Sequence, residues 1–164
     1  YHLACDATNA ATVARLRQLK GRDHKPFALM ARDLGVIERH ASVSPVERDV
    51  LESAAAPIVL LRKAGPEPLP DAVAPGQNTL GFMLPYTPLH ALLLRRLARP
   101  IVLTSGNRSD EPQCTEDDAA RRHQFDELAS CDLHSARGLP KLWCARRWPR
   151  CHTSPRRPQH ADRG

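Results

Sequence analysis

Short apolar runs of strand length alternate along most of this chain with segments of helical spacing, and this alternation limits the fold more than any other feature of the sequence. "PFALMA", "PIVLLRK", "NTLGFML" and "PIVLTSGN" read as strands, each bounded by proline, glycine or polar residues, and residues 1–5 read as the end of another. Between them lie helix signals. Asp6 to Asn9 supply capping side chains for a stripe of Val13, Leu16 and Leu19 that stops at Gly21. A second helix is expected from about Asp33 to Arg39. Ser44, Pro45 and Glu47 form a capping-box start, and Thr87 and Pro88 open an apolar helix through Leu92, Leu93 and Leu97. A last helix is expected over residues 115–128, and the proline-rich stretch 65–75 reads as a mobile connection. Strands and helices that alternate this way predict an α/β fold, a sheet covered by helices, with the strand order left open.

The 164 residues suffice for one domain with its own core, and aromatics at 4% make that core mostly aliphatic. No apolar run approaches the roughly 18–20 residues needed to cross a bilayer. The chain opens in a strand pattern with no initiator methionine and no signal-like segment, so it reads as part of something longer. Five unevenly spread cysteines make a secreted disulfide framework a poor reading and a reducing cytoplasm the better one.

The net charge of +6 is concentrated at one end. Residues 130–164 carry eight Lys or Arg and two Asp, against 24 and 18 in the whole chain, which leaves residues 1–129 formally neutral. This tail also holds both tryptophans and three of the cysteines and shows neither helical nor strand periodicity, so it is expected to stay out of the core. It reads as a disordered or out-of-frame extension. Binding to an RNA backbone is a second reading, and zinc a third, although Cys131, His134, Cys144, Cys151 and His152 lack the paired spacing of a structural site.

Two stretches carry residue types suited to chemistry. In "LKGRDHKP", Lys20, Arg22 and Lys25 place three cations on a turn that leads into a strand, where they could grip phosphates. Cations at a helix C-terminus also need no ligand, because the helix dipole favours them. In "TSGN", Thr104, Ser105, Gly106 and Asn107 end a buried strand with hydroxyls, an amide and a glycine that would admit an anion close to the backbone. A plain turn uses the same residues. Neither stretch has P-loop or dinucleotide-fingerprint spacing. Cys5 lies in a predicted strand with no evident base and reads as core, and His2 and His90 carry no assignment.

The blocks "YHLACDATN", "LKGRDHKPFALMARD", "PIVLLRK", "VAPGQNTLGFMLPYTPLHALLL" and "PIVLTSGNRSDEP" resemble, in order, the YrdC-like domain of HypF carbamoyltransferases over about residues 1–128. The wider family, which includes threonylcarbamoyl adenylate synthases, is marked by K-x-R and S-x-N elements, matched here by Lys20-Gly21-Arg22 and Ser105-Gly106-Asn107. "HLACDA" and "LPYTPLH" resemble the HypF branch. The resemblance implies an open, twisted mixed sheet covered by helices, with a basic cavity that binds ATP with magnesium. It also implies joining of carbamate, derived from carbamoyl phosphate, to the α-phosphate of ATP. Other domains would pass the carbamoyl group to an acceptor protein in nickel-iron hydrogenase maturation. On this reading Lys20 and Arg22 contact phosphate, Lys25 adds field or meets the acyl end, and the residues of 104–107 hold the nucleotide. The alternatives are an RNA-binding module, a threonylcarbamoyl adenylate synthase relative and an inactive fragment.

The chain departs from the family pattern at both ends. A strand expected before Tyr1 is absent, and the family's His-Asp-Arg-Pro and Asp-Asp-Ser blocks are replaced by the basic tail after about Ala129. The expectation is a YrdC-like domain incomplete at both ends, with exposed strand edges and little turnover by itself.

Overall fold

The structure of the chain, a computed structural model, describes residues 2–106 and, as backbone only, residues 142–145. The strands are β1 (His2–Asp6), β2 (Ala28–Met30), β3 (Val59–Arg62), β4 (Thr79–Met83), β5 (Ile101–Ser105) and β6 (Leu142–Ala145). The helices are α1 (Ala10–Lys20), α2 (Leu34–Glu38), α3 (Pro45–Leu51) and α4 (Pro88–Leu94), with a 3-10 turn at Asp71–Val73. The strands form one open sheet in the order β3-β4-β2-β5-β1-β6. Among the described strands only β2 and β4 run parallel and the other pairs are antiparallel, so the sheet is mixed.

The helix starts follow the sequence signals. Asn9 caps α1 by accepting from Thr12 N, Asp33 caps α2 through Val36 N, and Thr87 caps α4 through His90 N. Ser44 and Glu47 complete the reciprocal capping box of α3, with Pro45 in its first turn.

Strand alternation sorts the apolar residues onto two faces. Leu3 and Cys5, Leu29, Leu61, Leu80 and Phe82, and Val102 face Val13 and Leu16 of α1, Val36 and Ile37 of α2 and Leu51 of α3. On the other face Ala4, Met30, Met83, Ile101 and Leu103 meet Leu94 and Leu97 at the end of α4. The stripe expected for α4 is thus partly corrected. Leu92 is exposed and Leu94 is buried in its place.

Two further expectations meet a different arrangement. The stretch 65–75 is fastened at both ends: Glu67 N donates to Arg39 O at 3.0 Å, His40 Nδ1–H donates to Glu67 O, and Phe27 N donates to Val73 O at 2.9 Å. Gly65 allows this packing. Its φ of +100° suits glycine, and a Cβ there would lie 2.4 Å from Arg39 O. The basic tail shows no strand periodicity in the sequence, yet within it Leu142–Ala145 pair antiparallel with β1, His2 opposite Ala145. The cause is local. "LWCA" is a short run without charge or proline, and the open edge of β1 offers it backbone partners. The helix expected over 115–128 and the zinc candidates Cys131, His134, Cys151 and His152 lie outside the described residues.

Candidate functional site

The site begins at the end of α1. Gly21 takes φ +55°, Gly21 N donates to Gln18 O at 3.1 Å, and Arg22 N donates to Arg17 O at 3.0 Å, which together make a Schellman ending. Nothing lies within 4 Å of where a Cβ would sit, so the left-handed backbone alone calls for glycine. The turn sends neighbouring cations in different directions. Lys20, only 2% exposed, runs into the protein and donates from Nζ to Ser105 O at 2.6 Å. This bond joins the two stretches singled out in the sequence, which lie 85 residues apart.

Arg22 is half-buried and Lys25 exposed. The guanidinium of Arg22 donates from Nε to Lys25 O at 3.1 Å and from Nη2 to Pro26 O at 2.7 Å, and lies 5.2 Å from the Phe27 ring centre. Arg22 therefore holds its own loop as well as carrying charge. Thr104 and Ser105 end β5 half-buried and Gly106 is buried. Asn107 lies outside the described residues. His2 stands directly opposite Ser105 in the β1–β5 register and so borders the site.

The electrostatics favour an anion. Burial, and then the neighbouring Arg22, lower the Lys20 ammonium from its usual range to about 8. Burial and then Arg22 also lower Arg17, with Asp23 acting in the opposite sense. Cations that depress one another store repulsion, and a bound anion relieves it. The donors, an ammonium beside a guanidinium, suit phosphate oxygens. Among the described residues no group of three or more His, Cys, Asp and Glu could hold a metal.

Other chemistry-bearing residues stand apart from this arrangement. Cys5 is 3% exposed, and burial, with Asp6 behind it, pushes its thiol up to about 12, which denies it the thiolate a nucleophile needs. His90 is buried edge-on against Tyr86 at 4.5 Å between ring centres, and burial lowers its pKa. Both belong to the packing.

One organising residue carried no signal strong enough to be noticed. Arg17 reaches the carbonyls of Arg22, Asp23, Lys25, Ala72 and Val73 and lies over the Phe27 ring at 4.7 Å. A basic residue in the last turn of a helix is ordinarily explained by the dipole. Only the following loop, "GRDHKP", hinted at carbonyls without regular partners.

Comparison with known proteins shows the family and the fold. A family model described as "Telomere recombination", for Sua5, YciO and YrdC proteins, matches residues 1–136. The carbamoyltransferase HypF of Rhodobacter capsulatus is 52% identical over 121 residues, which cover 74% of this chain and 16% of that protein. A full-length HypF solved in its phosphate- and nucleotide-bound form superposes with a TM-score of 0.70 at 44% identity, over 77% of this chain and 20% of that one. The threonylcarbamoyl-AMP synthase of Bacillus subtilis is more distant, at 27% identity over 71% of this chain and 34% of its own length. The chain thus spans about a sixth of the HypF relative from Rhodobacter capsulatus. With its mixed open sheet, its Lys20–Ser105 junction and these identities, the chain belongs to the Sua5/YciO/YrdC family, as a partial YrdC-like domain of the HypF type.

Proposed function

We propose that the surface formed by the 20–26 turn and the end of β5 binds Mg-ATP and joins carbamate to its α-phosphate, within a HypF-type carbamoyltransferase that serves hydrogenase maturation. The observation that carries this reading is the buried Lys20–Ser105 bond, which joins the cationic turn after α1 to the end of β5. The HypF solved with phosphate and nucleotide supports it by analogy. HypF identity of 52%, against 27% for the threonylcarbamoyl-AMP synthase, favours carbamate over a threonine-derived acyl group.

In this reaction a carbamate oxygen attacks the α-phosphorus, the bond to the β-phosphate oxygen breaks, and pyrophosphate leaves with its charge. Chemistry of this kind asks the protein mainly for position and charge neutralisation. Lys20 and Arg22 would neutralise phosphate charge, Lys25 would add field at the open side, and Thr104, Ser105, Gly106 and Asn107 would hold the nucleotide. Magnesium, arriving with the ATP, would supply further neutralisation of phosphate charge. Carbamoyl phosphate as the source of carbamate, and an acceptor protein for the carbamoyl group, belong to the other domains of such an enzyme.

The test is a melt of the 164-residue chain with and without Mg-ATP, followed by pyrophosphate release. Ligand at about 100 times its Kd adds about 2.7 kcal/mol to the folded state, so a cooperative melt should move upward. Arg22→Ala should remove most of that shift. A melt that saturating Mg-ATP leaves unmoved would overturn the proposal. Pyrophosphate release by the chain alone is expected to be slight, because it spans so little of its HypF relatives.

A further inference from the structure

Residues 21–26 lie outside helix and strand, and one side chain ties much of this turn in place. Arg17 donates from Nη1 to Arg22 O at 2.8 Å and to Asp23 O and Lys25 O at 3.2 Å each. Its Nη2 donates to Lys25 O and Val73 O, both at 3.2 Å, and its Nε to Ala72 O. One guanidinium thus ties the end of α1 to the turn and to the connection that follows β3. The ring of Phe27 supports it, at 4.7 Å from Arg17 and 5.2 Å from Arg22. Carbonyls left to water would let the turn sample many shapes, whereas a planar fork with donors along its edge selects one.

We propose that Arg17 is a positioning residue for the anion site, one that presets the 21–26 turn so that Arg22 is presented to the ligand beside Lys20. The inference rests on the reading of this surface as an ATP site. Arg17 acts through Arg22: it grips the Arg22 carbonyl, shares the Phe27 ring with the Arg22 side chain, and bonds Lys25 O, which Arg22 Nε also bonds. The fork matters here, and the charge alone does not suffice. A lysine in its place keeps the charge but offers a point of donors that cannot reach both the 22–25 and the 72–73 carbonyls or lie flat on a ring.

The experiment measures Mg-ATP affinity and melting for the 164-residue chain and for Arg17→Lys, Arg17→Gln, Arg22→Ala and the double variant Arg17→Gln with Arg22→Ala. Hydrogen exchange of residues 21–27 and 72–74 is followed in each. Positioning predicts that Arg17→Lys and Arg17→Gln both weaken binding by about tenfold, and that Arg17→Gln adds less than about twofold once Arg22 is gone. Exchange should quicken in those two segments and stay unchanged in β2 and β5. Full affinity in Arg17→Lys, or losses that multiply independently of Arg22, would show a simple field effect and overturn the proposal. If the unsubstituted chain does not bind Mg-ATP, the functional reading fails by itself. The exchange data then decide the role of Arg17: faster exchange confined to the two segments upholds it, and unchanged exchange sinks it.

Discussion

The two faces of the sheet are built to different standards. Three helices cover one face, where Leu16, Leu29, Leu61 and Phe82 are closed off from water. Among the described residues the other has the seven residues of α4 and the turn after it, which stop short of Leu60 on β3, 67% exposed, and of Ile58 just before it, 53% exposed. The difference shows where the fold is rigid. The well-covered face ends at the top of α1, the point from which Lys20 and Arg22 depart, so the site stands on the better-packed half.

Neighbours on β4 give the most direct way to break this comparison. Phe82 faces the three-helix layer at 0% exposure and Met83 faces α4 at 6%. Phe82→Ala should cost about 3–5 kcal/mol and Met83→Ala nearer about 2 kcal/mol, as read from urea melts. Equal costs would mean that the second face is as tightly packed as the first.

Lys20 sharpens the comparison, because its charge is sunk into the well-packed side of the site. Its pKa is lowered to about 8 in the folded chain, first by burial and then by Arg22. The unfolded chain keeps that proton to about pH 10.4. Below pH 8 both states hold the proton and the folded chain bears the full penalty. Between there and pH 10 the unfolded chain binds more protons, so stability contributed by this group rises with pH. Nucleotide binding runs the other way, since an anion favours the ammonium, and affinity should fall as pH passes 8 with proton uptake on binding. Lys20→Met should abolish the Mg-ATP shift without lowering the melting temperature at pH 7, and should erase the alkaline rise. A Lys20→Met chain that keeps that rise would assign it to another group.

Much of this arrangement was legible in the sequence. Capping signals at Asn9, Asp33, Ser44 and Thr87 are short-range and physical, so they placed the helix starts correctly. The branched and apolar runs around Leu29, Leu61, Phe82 and Val102 placed the strands. Long-range facts were hidden. Nothing near Lys20 says that its ammonium finds Ser105 O, and nothing near Arg17 says that its partners include Ala72 and Val73. The strand at Leu142–Ala145 was missed because four apolar residues amid arginines show no period, and only the free edge of β1 gives them a place.

The smallest expected effects lie on the thinly covered face. Leu60, 67% exposed on the edge strand β3, and Leu92, 68% exposed on α4, bury little on folding, so the hydrophobic effect gains little from either. Leu60→Thr places a β-branched residue, favoured in strands, on β3, and Leu92→Gln keeps a good helix former in its helix. Each should change stability by no more than about 0.5 kcal/mol while lowering any concentration-dependent association seen by light scattering. A loss several times larger in either variant would mean that this side chain is covered in solution, by more than the described residues of the second face provide.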